Sequence, residues 1–122
     1  MEKVNINDAL DALDEYWSQR VLAEANGQLF KVAKGIGETR WHTHDDQDEL
    51  FILYSGRLTI QLRSGDIELV PGDMVVVPRG VEHCPRADQE ARFVIVGVNV
   101  TSNAQGGKPE WSYTANSSQQ PV

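Results

Sequence analysis

An all-β sandwich or barrel preceded by a short N-terminal helix is the fold class predicted for this chain. Three observations predict it. Turn residues recur at roughly 8–12-residue intervals, and short apolar or alternating runs lie between them. Helical rhythm is confined to residues 5–17. The length of 122 residues suits one domain with one core.

Residues 5–17 read as one amphipathic helix. Ile6, Leu10, Leu13 and Trp17 make an apolar stripe, Asn5 or Asn7 serves as N-cap, and Asp8 and Asp11 suit the positive end of the dipole. From Ser18 the rhythm shortens. Val21 to Ala25 is a strand, Asn26-Gly27 a two-residue hairpin turn, and Leu29 to Ala33 the returning strand. Gly35-Ile36-Gly37 punctuates it, and no third glycine or helix follows to make a dinucleotide loop. Arg40 to His44, Leu50 to Tyr54, Leu58 to Leu62, Ile67 to Val70 and Met74 to Val77 follow as strands. The turns between them carry Ser55-Gly56, Ser64-Gly65, Pro71-Gly72-Asp73 and Pro78-Arg79-Gly80. Ala91 to Val100 closes the series. The domain is set at residues 1–100 and a polar tail at 101–122, with Trp111 and Tyr113 available to anchor it.

A net charge of −7 and a pI near 4.8 argue against nucleic acid and against an anionic membrane surface. No stretch has the length of a membrane span, and the first residues lack a signal-peptide pattern. The single cysteine, Cys84, permits no intrachain disulfide and fits a reducing compartment. A cytoplasmic location is therefore expected, and the glycosylation patterns at Asn99 and Asn116 are taken as accidental.

The chemistry concentrates in Trp41-His42-Thr43-His44-Asp45-Asp46-Gln47-Asp48-Glu49, which holds two of the three histidines. Alternate residues of a strand share a face, so His42 and His44 project together. Glu49 follows a short acidic loop, and its parity with Phe51 and Leu53 turns it inward. His83 lies on a distant strand that barrel closure would bring over. A His-x-His pair beside acidic residues is also what a solvated surface loop looks like. Against that reading, the pair, the carboxylate and His83 together use all the histidine in the chain. Three imidazoles and one carboxylate suit a divalent transition metal (Fe, Mn, Ni, Zn or Cu) and suit Ca²⁺ or Mg²⁺ poorly.

Two spaced motifs carry a resemblance to the cupins. Gly37, His42, His44, Glu49 and Gly56 follow the first cupin motif, with one residue fewer than usual between the glycine and the first histidine. Gly72, Pro78, Gly80 and His83 follow the second, and Ala87 stands where an asparagine is usual. The resemblance covers residues 30–100. It implies a double-stranded antiparallel jelly-roll barrel with a metal near one mouth. Within the cupins the chain resembles the small single-domain bacterial members, often described as mannose-6-phosphate isomerase-like. Small cupins commonly pair through N-terminal strands, so a homodimer built on residues 5–33 is expected.

Of the other candidates, Arg40 shares parity with His42 and His44 and could clamp a phosphate or carboxylate at the mouth. The alternative is a strand end in solvent. Tyr54 has outward parity. Cys84 should point away from the metal as an inert thiol. Three functions stay open for a small-molecule ligand: an isomerase acting on a sugar or sugar phosphate, an Fe-dependent dioxygenase, and a non-catalytic binding or sensing module.

Overall fold

A computed structural model of the chain describes residues 1–101. The expectations for Trp111, Tyr113 and Asn116 lie outside the described residues.

The N-terminal helix is shorter than its apolar stripe. α1 spans Ile6–Asp11, and the Asn5 side chain caps it by accepting from the Asp8 N–H at 2.9 Å. Residues 12–17 do not continue it. Asp14 and Glu15 would place negative charge at the negative end of the dipole, and no basic residue occupies the last turn to offset them. Trp17 has φ 66° and its N–H donates to the Lys34 carbonyl at 2.7 Å. Its indole is 8% exposed and packs inside the barrel against Phe93, with ring centroids 6.0 Å apart. Burying a tryptophan in the main core outweighs one more helical turn.

The strands are β1 Arg20–Ala25, β2 Gln28–Glu38, β3 Glu49–Ser55, β4 Leu58–Leu62, β5 Gly65–Leu69, β6 Met74–Val77 and β7 His83–Gly97. Asn26 and Gly27 have φ 54° and 78° at the β1–β2 turn, the positive values that a tight hairpin requires. All pairings are antiparallel. The sheet runs β1-β2-β7-β3-β6, with β4 joined to β7 and β5 to β4. β7 is the spine. One edge follows β2 from Gly97 to Arg86, and the other meets β3 with residues 92–96 and β4 with residues 83–86.

Three strand expectations are corrected. β2 does not stop before Gly35-Ile36-Gly37 but runs through it. The glycines mark a bulge, where Gly37 has φ 74°, and a Cβ on Gly35 would sit 2.5 Å from the Trp17 ring. β7 begins at His83 rather than Ala91; its first half is masked in sequence by Arg86, Asp88, Gln89 and Glu90. Residues 40–44 form no strand. They make a single bridge, His42 to His83. From Glu38 to His42 the chain advances four residues while its partner moves three, from Arg86 to His83, so the ladder bulges. Pro85, in the middle, has no N–H to donate.

The sheet curls around one apolar core, which includes Trp17, Ala33, Phe51, Leu53, Leu58, Ile60, Phe93 and Ile95. On its outer face Ala9 and Leu10 of α1 pack on Val32 and Val94. By strand parity Leu29, Lys31 and Ala33 face inward, so β2 inserts a lysine into the barrel.

Candidate metal centre

The structure brings His42, His44, Glu49 and His83 together at one end of the barrel. One donor atom from each lies within 4.8 Å of all the others. Glu49 opens β3 and His83 opens β7, so both start at the same mouth. The paired bonds His42 N–H to His83 O and His83 N–H to His42 O, each 2.9 Å, fasten the histidine loop beside them. The Gly80 N–H donates to the His44 carbonyl at 2.8 Å and holds the next turn. His42 and His44 therefore converge, with ring centroids 4.8 Å apart, although the strand used to predict it is absent.

Backbone carbonyls orient two of the rings. His42 Nδ1 lies 2.5 Å from the Arg40 carbonyl, and His83 Nδ1 lies 2.9 Å from that of Val81. A carbonyl can only accept, so Nδ1 carries the proton in both. In the neutral ring Nε2 then keeps its lone pair for the centre of the cluster. His44 Nε2 is buried with no hydrogen-bond partner among the described residues; it stands 3.5 Å from Glu49 Oε1, too long for a good hydrogen bond. An orphaned buried nitrogen, facing a carboxylate among imidazoles, fits a bound cation. The donor set suits the transition metals named above.

Electrostatics favour the ligating form of Glu49. Its burial opposes the charge, but the facing His44 and His83 imidazoles and the Thr101 hydroxyl hold its pKa well below the usual carboxylate range. Burial lowers the pKa of His42 and so favours the neutral ring. For His83 burial acts in the same direction but loses: Glu49 Oε1 at 3.3 Å and the Val81 carbonyl raise it. Cys84 is buried, and burial pushes its thiol up.

Beside the cluster lies a chamber of about 310 Å³, a volume that includes its open side. His42 and Glu49 form one wall. Trp17, Phe51, Phe93 and Ile95 are among the apolar residues completing it, and Gln19, Thr39 and Thr101 add polar atoms. Among the described residues lining it there is no lysine or arginine. Arg40 is exposed, as are Tyr54, Asp45, Asp46 and Asp48. Asp48 accepts from the Arg79 N–H at 2.9 Å, and Asp46 from the Asn99 amide at 2.8 Å. Asn99 is 1% exposed, so this fold has no room for a glycan on it.

Four polar residues of the mouth escaped the sequence reading. Gln47 is buried, and its Oε1 accepts from the N–H groups of Val98 and Asn99 at 2.7 and 3.0 Å. Gln19 and Thr101 hydrogen-bond to each other and, through Thr101, to Glu49. Lys31 is fully buried and donates to the Asn99 carbonyl. Burial lowers its pKa from 10.5 to about 8, against the opposing pull of Glu49. Its sequence signal was present: a lysine on the same parity as Leu29 and Ala33. Gln19 and Thr101 fall outside any motif.

A curled antiparallel barrel with three imidazoles and a buried carboxylate at one mouth defines a class, the double-stranded β-barrels with a histidine-rich centre. The chain belongs to the cupin family, whose cupin-domain model matches residues 28–98. It is similar in structure to a cupin-2 domain-containing protein from Shewanella frigidimarina, with 44% identity and a TM-score of 0.74 over 76% of this chain and 91% of that one. Protein NMB1881 from Neisseria meningitidis is similar at 29% identity and a TM-score of 0.72, over 79% of this chain and 98% of that one. The uncharacterized protein YdbB of Bacillus subtilis is 33% identical over 67 residues, which span 54% of this chain and 59% of that relative's length.

Proposed function

We propose that this cupin holds a divalent transition metal on His42, His44, Glu49 and His83 and binds a small oxygen-bearing ligand in the chamber beside it. Iron-dependent dioxygenation of an enol is the reading supported best. The carrying observation is the lining of the chamber, which is mostly apolar and has no lysine or arginine among its described residues. A sugar phosphate would leave its phosphate without a cationic partner there. Proton transfer between carbons would also need a base beyond the proposed ligands, and Gln19, Thr39 and Thr101 are not bases at neutral pH.

An iron ion in this centre would supply Lewis-acid and redox chemistry. The chain's own residues do the rest. The Arg40 and Val81 carbonyls aim two imidazoles, Glu49 contributes a carboxylate that stays charged, and Trp17, Phe51 and Phe93 exclude water from the ligand's apolar part.

The test is oxygen uptake by iron-loaded protein over a panel of small enols and enolisable diketones, run beside isomerisation assays on sugar phosphates. Iron-dependent uptake with an enol is expected. Turnover of a sugar phosphate without oxygen uptake would contradict this reading and favour the isomerase.

A further inference from the structure

We infer that Thr101 is a positioning residue for Glu49: its hydroxyl takes one carboxylate oxygen out of the centre, so that the other alone faces a bound ion. This rests on the metal-centre reading above and concerns residues outside both cupin motifs. Thr101 Oγ1 lies 2.7 Å from Glu49 Oε2. The other oxygen, Oε1, faces His83 Nε2 at 3.3 Å and His44 Nε2 at 3.5 Å. The two oxygens of one carboxylate thus have separate partners.

The direction of the Thr101 hydroxyl is fixed by its second neighbour. Gln19 Nε2 lies 2.7 Å from Thr101 Oγ1, and an amide NH₂ can only donate. The hydroxyl's single proton is therefore directed to Glu49. The same Gln19 side chain accepts from the Thr101 N–H at 2.8 Å, so both ends of its amide grip one residue. Gln19, Thr101 and Glu49 are 6%, 5% and 2% exposed, so water competes little for these bonds. The backbone leading to Thr101 is held as well: Gln47 takes the N–H groups of Val98 and Asn99, and Lys31 reaches the Asn99 carbonyl. Residues 98–101 thus form a strap tied down beside the cluster, with Glu49 as one of its anchors.

Two consequences follow. A carboxylate restrained to one oxygen occupies one position on the ion and leaves others for a ligand from the chamber. In addition, an ion that orders Glu49 also orders the strap, and by linkage a docked strap strengthens ion binding.

Cobalt(II) serves as the probe, with affinity read by competition against a chromophoric chelator and coordination read from the visible spectrum. Thr101→Val keeps the shape and removes the donor, and is expected to weaken cobalt binding by roughly 10–100-fold and to change the spectrum. Thr101→Ser keeps the donor and is expected to restore both. Cobalt should also slow hydrogen exchange at the Val98, Asn99 and Thr101 amides in the parent protein but not in the valine variant. Should the valine variant fail to fold, Gln19→Met, which leaves the hydroxyl unaimed, is expected to weaken cobalt several-fold with the same spectral change. Parental affinity and spectrum in the folded variant would overturn the positioning role alone, as would equal losses in the valine and serine variants. Absence of cobalt binding by the parent protein would overturn the metal centre, and this inference with it.

Discussion

The two ends of the barrel interior are buried in different ways. The floor, around Leu53, Leu58, Ile60 and Leu69, is apolar, and each side chain is 3% exposed or less. It is held by close packing and surface removed from water. The mouth buries Lys31, Gln47, Glu49, His83, Asn99 and Thr101 to a similar degree. Those groups must find partners inside, and among the described residues two buried atoms at this end have none: His44 Nε2 and Gln47 Nε2. Burial therefore stabilises the floor and strains the mouth. Such a concentration of buried polar groups at one end is the physical basis of the proposed binding site, and the donor set of the four-residue cluster suits a transition metal.

Substitutions that separate the ends test this contrast. The largest effect belongs to the floor. Leu53→Ala leaves a cavity and is expected to destabilise the fold by about 2–5 kcal/mol in denaturant unfolding, while cobalt affinity of the folded protein stays within a few-fold of the parent. A loss of cobalt binding as large as the loss of stability would show that the two ends are not separate.

Next in size is the strain from Lys31. Its folded pKa of about 8 lies below the ordinary 10.5, so between these values the unfolded chain holds a proton that the folded chain has released. Stability contributed by this group therefore rises with pH across that window, by about 3 kcal/mol in all, and the penalty is fully present below pH 8. Lys31→Met removes that penalty and its pH dependence. Denaturant midpoints measured at pH 7 to 10 should climb more steeply in the parent than in the variant, and parallel curves would refute the assignment.

The third effect appears only when metal is present. Saturating cobalt at 100 times its dissociation constant should stabilise the parent by about 2.7 kcal/mol. Glu49→Gln keeps the size and loses the anionic ligand, so its melting temperature should hardly respond to the same cobalt. An equal response in both proteins would remove Glu49 from the ligand set.

The contrast between the ends also explains what the sequence revealed. Glycine and proline at the turns and alternating β-branched residues made most strands legible, because those signals act locally. The four clustered residues were legible because cupin spacing is a one-dimensional imprint of a closed barrel. Trp17 was misread as helical because its destination, between Phe93 and Gly35, is a tertiary contact that its neighbours do not announce. The first half of β7 was hidden by charged residues and Pro85. At the mouth Gln19 and Thr101 meet across 82 residues of sequence, a pairing that no periodicity encodes. Lys31 alone among the missed polar residues carried a readable signal, since a lysine on an inward parity must be buried or the strand must be reassigned.

The most direct measurement is anomalous diffraction from crystals of the metal-loaded protein. A single strong peak is expected at the barrel mouth, within about 2.0–2.2 Å of Nε2 of His42, His44 and His83 and of Oε1 of Glu49. A peak elsewhere, or none at the mouth with metal in excess, would contradict the assignment of this end of the barrel as a metal centre.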